Sequence, residues 1–199
     1  MPARQRGAVP KTSGARVSAS AVDRRVALLR GINVGTAKRV SMADLRTVFE
    51  DLGYDEVRTL LNSGNVVFTI RKAASRDHAV RVRKAIADRL GIQSRVVVLT
   101  RREVADAVAA NPFTALADNP SRLLVLACAD ATGIAQLEPL LKERWSPEAL
   151  ALGTRVAYLW CARGIGISRL WTMVNRAIGD AGTARNIATM TRLLAILDE

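Results

Sequence analysis

The chain has 199 residues, a formal net charge of +12 and 49% hydrophobic residues, enough for one ordinary domain or two small ones around a shared core. No apolar run approaches the roughly 20 residues of a membrane span, and no apolar stretch follows the basic start as a secretory signal requires. The reading is therefore cytoplasmic, with no membrane partner. Aromatic residues make up only 4%, so the core must come mainly from Val, Leu, Ile and Ala.

Residues 1–22 hold Arg4, Arg6, Lys11 and Arg16, no acid and no apolar periodicity, which predicts a disordered basic tail. A transit peptide has a similar composition, but a flexible extension is the simpler reading. The other +8 of the +12 falls on residues 23–199 and would draw phosphates, nucleic acid or acidic partners.

From Arg24 onward the pattern is orderly. Residues 25–30 read as a buried strand, followed by a Gly/Asn loop, Gly31-Ile32-Asn33-Val34-Gly35. Ser41 then caps a helix over 42–52 that Gly53 ends. Strands over 56–61 and 65–70 flank the turn Asn62-Ser63-Gly64, a helix covers about 76–90, and a strand covers 95–99. Strand, helix, strand, strand, helix, strand is the split βαβ order of ferredoxin-like folds. In that topology the first two strands are parallel, so the 31–35 loop and the 62–65 hairpin should converge at one sheet end.

The second half repeats the theme loosely after Asn111-Pro112-Phe113. A helix over 101–110 leads to a strand at 122–128, a helix over 132–144 broken near Pro139, and strands near 149–152 and 154–161. Two helices, about 168–179 and 184–197, are expected to close the chain. The predicted fold is α+β, with two ferredoxin-like halves of mixed antiparallel sheets and C-terminal helices. The division is a tail at 1–22, an N-terminal half at 23–100 and a C-terminal half at 101–199.

The candidate site is the strand-loop-helix junction. Arg30 would supply charge, with Lys38 and Arg39 nearby, while Gly31 and Gly35 give backbone access. Asn33, Asn62, Ser63 and Asn65 would add hydrogen bonds. Arg185 and Asn186, read as the first turn of the last helix behind a Thr183 cap, would join them. Basic groups there oppose the helix dipole unless an anion or an acid such as Asp180 compensates.

Two nucleotide motifs are excluded. Only three residues separate Gly31 from Gly35, and Arg39 follows Lys38 where a P-loop needs Ser or Thr. In Arg163-Gly164-Ile165-Gly166-Ile167-Ser168-Arg169 the third glycine position is Arg169, and two closing helices leave no strand for a ribose-binding acid. Cys128 and Cys161 lie in apolar strands and read as buried, reduced thiols. The sole histidine, His78, has no metal-ligand or triad spacing. No cofactor or metal is expected, and the question of catalysis stays open.

Val26-Ala27-Leu28-Leu29-Arg30-Gly31-Ile32-Asn33-Val34-Gly35, Asn62-Ser63-Gly64-Asn65-Val66-Val67-Phe68, Asn111-Pro112-Phe113 and Gly182-Thr183-Ala184-Arg185-Asn186 together resemble the bacterial proteins called domain of unknown function 1697. The likeness runs over about residues 24–197 and implies ferredoxin-like halves with no established catalytic residues. Thr36 stands where the family has a second glycine. Arg169 replaces the lysine of its Ser-Lys-Leu segment, and Ile187 replaces an aromatic. The expected function is binding of a phosphate-bearing or other anionic small molecule at the two loops. Nucleic-acid binding through the basic surface and a protein-interaction or oligomerisation module are the alternatives.

Overall fold

A computed structural model of the chain describes residues 23–34, 39–70 and 77–199. The basic tail, Gly35, Thr36 and Lys38 lie outside the described residues. The first half runs β1 (Asp23–Leu29), α1 (Met42–Asp51), β2 (Asp55–Leu60), β3 (Asn65–Ile70), α2 (His78–Leu90), β4 (Val96–Thr100) and α3 (Arg101–Ala109). The second runs β5 (Leu123–Cys128), α4 (Ala131–Ala135), β6 (Ala149–Leu152), β7 (Val156–Trp160), α5 (Arg169–Ile178), β8 (Gly182–Asn186) and α6 (Ile187–Leu197).

Each half forms a four-stranded sheet, ordered β2-β3-β1-β4 in one and β6-β7-β5-β8 in the other. All described pairings are antiparallel. The protein is thus an α+β fold of two ferredoxin-like halves, each with the order βαββαβα. The repeat extends to individual backbone bonds. Leu29 N donates to Gly64 O at 2.8 Å, and Cys128 N donates to Arg155 O at 2.9 Å. Arg30 N reaches Arg95 O at 2.8 Å, and Ala129 N reaches Ala181 O at 3.0 Å. Arg30 therefore corresponds to Ala129, and Gly64 to Arg155. By this repeat α3 belongs with the first half, as α6 belongs with the second, although the chain order alone groups α3 with the C-terminal half.

Val26 to Leu29 are all apolar because β1 is buried on both faces. Ala27 and Leu29 pack under α1 and α2 with Leu45, Phe49 and Ile86. Val26 and Leu28 face a central layer that joins the halves, with Val104 of α3, Val125 and Ala127 of β5, and Met190 and Leu193 of α6. Leu124, Leu126 and Cys128 face outward to α5 in a third cluster. The sheet face on which RNA-binding ferredoxin-like domains stack bases is here the inside of that central layer. Phe68 is fully buried on the opposite face.

Three expectations need correction. The closing segment is helix, strand, helix: Gly182–Asn186 is β8, paired antiparallel with β5. Arg185 is therefore a strand residue, and Asn186, not Thr183, caps α6 by accepting from Thr189 N at 2.8 Å. Because β8 lies beyond α5, a strand does follow the Gly164-Gly166 segment; the dinucleotide reading fails instead on Arg169 and on a strand that carries no acid. The helix expected over 132–144 is a five-residue α4 and a separate 3-10 turn, Glu138–Lys142, with Pro139 at its start. Proline lacks the N–H that a continuous helix would need there. Among the described residues no helix is long and apolar enough to cross a membrane.

His78 opens α2 against the outer core, with Nδ1 at 2.8 Å from the Tyr54 hydroxyl. Burial, aided by the charges of Arg25 and Arg81, holds its pKa below the ordinary 6.5, against the opposing pull of Asp23 and Asp77. The unfolded chain therefore binds the His78 proton more readily than the folded one. This contribution to stability is complete above pH 6.5 and is lost as the pH falls toward the folded value. Thermal melting from pH 7 down to about pH 5 should show this decline, with a shallower slope in His78→Gln.

Candidate functional site at the junction of the halves

The 31–34 loop and the 61–64 hairpin meet, as the topology requires. Asn33, at φ 55°, donates from Nδ2 to Asn62 O at 2.8 Å and to Val40 O at 3.0 Å, while its Oδ1 accepts from Val40 N at 2.8 Å. Gly64, at φ 76°, lies so close to the loop that a Cβ there would stand 2.7 Å from both Leu29 Cβ and Ile32 Cδ1. Only glycine fits that approach.

Arg185 enters this corner from the other half. Its Nε donates to Asn65 Oδ1, one Nη to Thr183 Oγ1 and Ala184 O, and the other to Leu29 O, Ser63 O and Gly64 O. Asn65 is fully buried and donates back to Leu60 O and Ser63 Oγ. All the acceptors are neutral, and burial pulls the Arg185 pKa down to about 10, so it remains a cation at neutral pH. Among the described residues no carboxylate pairs with it.

Arg30 spans the junction in the opposite direction. Its guanidinium donates to Gly182 O at 2.9 Å and to Asn175 Oδ1 at 2.8 Å, with Asp180 at 3.9 Å. On one side lies a polar cavity of about 390 Å³, lined by Arg30, Gly31, Arg83, Gln93, Ser94, Arg95 and Asp180. Asp180 is largely exposed and shared with Arg95 at 3.6 Å. Arg83 makes no hydrogen bond or ion pair among the described residues. On the other side Arg30 and Gly31 also line a groove of about 700 Å³, walled by Leu61, Leu124, Ile165 and Trp171.

The internal repeat supplies a built-in comparison. The repeat counterpart of the groove, a cavity of about 320 Å³, is lined by Arg25, Asp77, His78, Glu103 and Arg155 among others. There Arg155 bonds the Glu103 carboxylate, and Arg25 forks onto Asp23 at 2.9 and 3.0 Å. Glu103 sits at the position that Thr189 occupies in α6, and Ala129 at that of Arg30. That counterpart is neutralised by its own carboxylates, whereas the groove and the arginine-lined cavity beside it carry Arg30, Arg83, Arg95 and Arg185 against the single acid Asp180. A larger cavity, about 790 Å³, lies between α3 and the 153–155 turn. Its charges are matched by the Arg155–Glu103 and Arg102–Asp106 pairs, so it offers an ion no net attraction.

The expected site residues separate into two roles. Arg30 and Gly31 line both cavities, and Ser63, Arg185 and Asn186 line the groove. The amides of Asn33 and Asn65 are consumed in holding the loop, the hairpin and Arg185, and Asn62 serves through its carbonyl. Asp180 faces Arg30 and Arg95, not Arg185. Arg83, Arg95, Asn175 and Trp171 carry no local motif and are brought in only by the fold. Cys128 and Cys161 are buried and free, with burial pushing the Cys128 thiol up to about 11 and away from nucleophilic chemistry. Among the described residues no group of three His, Cys, Asp or Glu side chains is placed to hold a metal.

A split βαβ unit occurring twice, joined at an arginine-rich corner, defines the class of molecule. The chain belongs to the family described as protein of unknown function (DUF1697), whose model matches residues 22–158. Its fold is similar to that of the conserved bacterial protein SP0830 from Streptococcus pneumoniae, with a TM-score of 0.73 and 21% sequence identity over 89% of this chain and 99% of that one. No functionally curated protein matches it.

The Arg185 clamp has a direct test. Asn65→Ala leaves the buried Nε without its acceptor, a loss of about 1–3 kcal/mol, and Gly64→Ala adds a clash at a left-handed residue. Both variants should melt several degrees below the wild type in differential scanning calorimetry. An unchanged melting temperature for both would mean the clamp is not structural.

Proposed function

We propose that this protein binds a phosphate-bearing or otherwise anionic ligand at the junction of its halves, in the cavity between Arg30, Arg83 and Arg95. The observation that carries this reading is the uncompensated charge. The cavity sets three arginines against one exposed acid, Asp180, whereas at the repeat counterpart of the adjoining groove Arg155 and Arg25 are paired with Glu103 and Asp23. Arginine forks suit phosphate and carboxylate oxygens, and ion–ion hydrogen bonds are stronger than neutral ones. Arg30 is already held in place by Gly182 O and Asn175 Oδ1, so little side-chain entropy is lost on binding. Gly31 has no atom within 4 Å of where a Cβ would stand, which leaves the backbone open to an approaching anion.

The nucleic-acid alternative draws on the same charge. The usual stacking face of a ferredoxin-like sheet is occupied here by α3, α6 and the opposite sheet, so a nucleic acid would have only the arginine-rich rim to bind. A cavity of about 390 Å³ suits a small anion better than a nucleic-acid strand.

Calorimetric titration with inorganic pyrophosphate at low and moderate salt tests the proposal. Wild type should bind, more weakly as salt rises. Arg83→Ala, which breaks no hydrogen bond or ion pair among the described residues, should lose about tenfold in affinity, the worth of one charge-assisted hydrogen bond. Absence of binding to the wild type, or equal binding by Arg83→Ala, would rule the site out.

A further inference from the structure

The groove beyond Arg30 differs in kind from the arginine-lined cavity. Its walls are Leu61 and Val34 from the first half and Leu124, Ile165 and Trp171 from the second. Trp171 lies on α5, whose Leu170, Val174 and Ile178 are buried beneath it. The indole is packed against that core along one side and is only partly buried. Val34 and Leu61 are 67% and 49% exposed at the mouth. Apolar side chains of this size stay exposed together at a cost unless something covers them.

Polar groups sit among these walls. Asn175 spends its Oδ1 on Arg30, and Asn186 spends its Oδ1 on the Thr189 amide. Neither Nδ2 group makes a hydrogen bond among the described residues, so both remain available as donors at the groove. The arrangement is apolar walls with a few convergent polar groups, the usual make-up of an organic-ligand pocket. Because Arg30 and Gly31 are a wall of both spaces, an anion bound at the arginines would place any attached organic group beside this groove.

Resting on the anion-binding reading above, we propose that the ligand is a phosphorylated compound with a flat aromatic ring system. Its phosphate sits among Arg30, Arg83 and Arg95, and its ring lies in the groove beside Trp171, edged by the amide donors of Asn175 and Asn186. A bare inorganic ion would leave the groove empty. A phosphorylated sugar without a ring system would place hydroxyls against Leu124, Ile165 and Trp171, where few partners await them.

The test compares pyrophosphate with ADP, and inorganic phosphate with phenyl phosphate, on the full chain. ADP should bind about tenfold more tightly than pyrophosphate, within the range of base–aromatic stacking. Trp171→Leu, which keeps an apolar side chain on the core, should abolish that advantage and leave pyrophosphate affinity unchanged. ADP should also alter the intrinsic tryptophan fluorescence of the wild type, and this response should be missing in Trp171→Leu. A gain for phenyl phosphate over phosphate would identify the ring itself as what is recognised; a gain for ADP alone would narrow the class to nucleotides. Equal affinity for ADP and pyrophosphate, or an ADP advantage that survives Trp171→Leu, would overturn the ring proposal while leaving the anion site standing. Failure of both pyrophosphate and ADP to bind would remove the anion site and the ring proposal with it.

Discussion

The guanidinium of Arg185 is the interaction on which the rest of this structure depends. It leaves the C-terminal half at the end of β8 and reaches carbonyl oxygens of the first strand and the hairpin of the N-terminal half. A buried cation without a carboxylate is costly. The chain offsets that cost by giving every N–H an oxygen and by using Asn65, itself fully buried, as the bridge. The positions of Gly64, Ser63 and Asn33 are set by this arrangement, and the groove takes its shape from them.

The repeated topology explains why the molecule has two junctions, and the side chains that differ between its halves explain why the junctions differ. At one, Arg155 comes from the hairpin and bonds Glu103 as well as the carbonyls of Cys128 and Ala129. At the other, Arg185 comes from the strand and meets only neutral oxygens. The reversal leaves a neutral corner and a cationic corner on the same scaffold. A domain built twice from one topology has acquired its chemical asymmetry through a handful of side chains: Arg30 against Ala129, Thr189 against Glu103, Gly64 against Arg155.

Most of the fold was legible in the sequence because its strands are apolar and its helices are capped. Ser41, Asp77 and Thr100 all cap where their side chains allow, and the convergence of the two loops is a consequence of the crossover rule alone. β8 was not legible, since Gly-Thr-Ala-Arg-Asn has neither alternation nor a β-branched run, and a charged residue at its fourth position argues against burial. Only the repeat itself, which demands a fourth strand between α5 and α6, pointed to it. The site was half legible. Arg30 and the glycine loop were visible as a motif, but Arg83 and Arg95 are ordinary surface residues until α2 and β4 are folded against β1. Asn33 and Asn65 do lie at the corner, but their amides hold the frame, a role that no local pattern distinguishes from contact with a ligand.

Apart from the Asn65 amide, the Arg185 clamp grips main chain in the hairpin. Three of its six acceptors are carbonyl oxygens of Leu29, Ser63 and Gly64, and these are indifferent to what residues 61 and 62 present to solvent. Leu61 and Asn62 are exposed, so they can be exchanged without loosening the joint between the halves. The mouth of the groove is therefore mechanically decoupled from the clamp that supports it, and its selectivity can be redesigned there while the architecture is left alone.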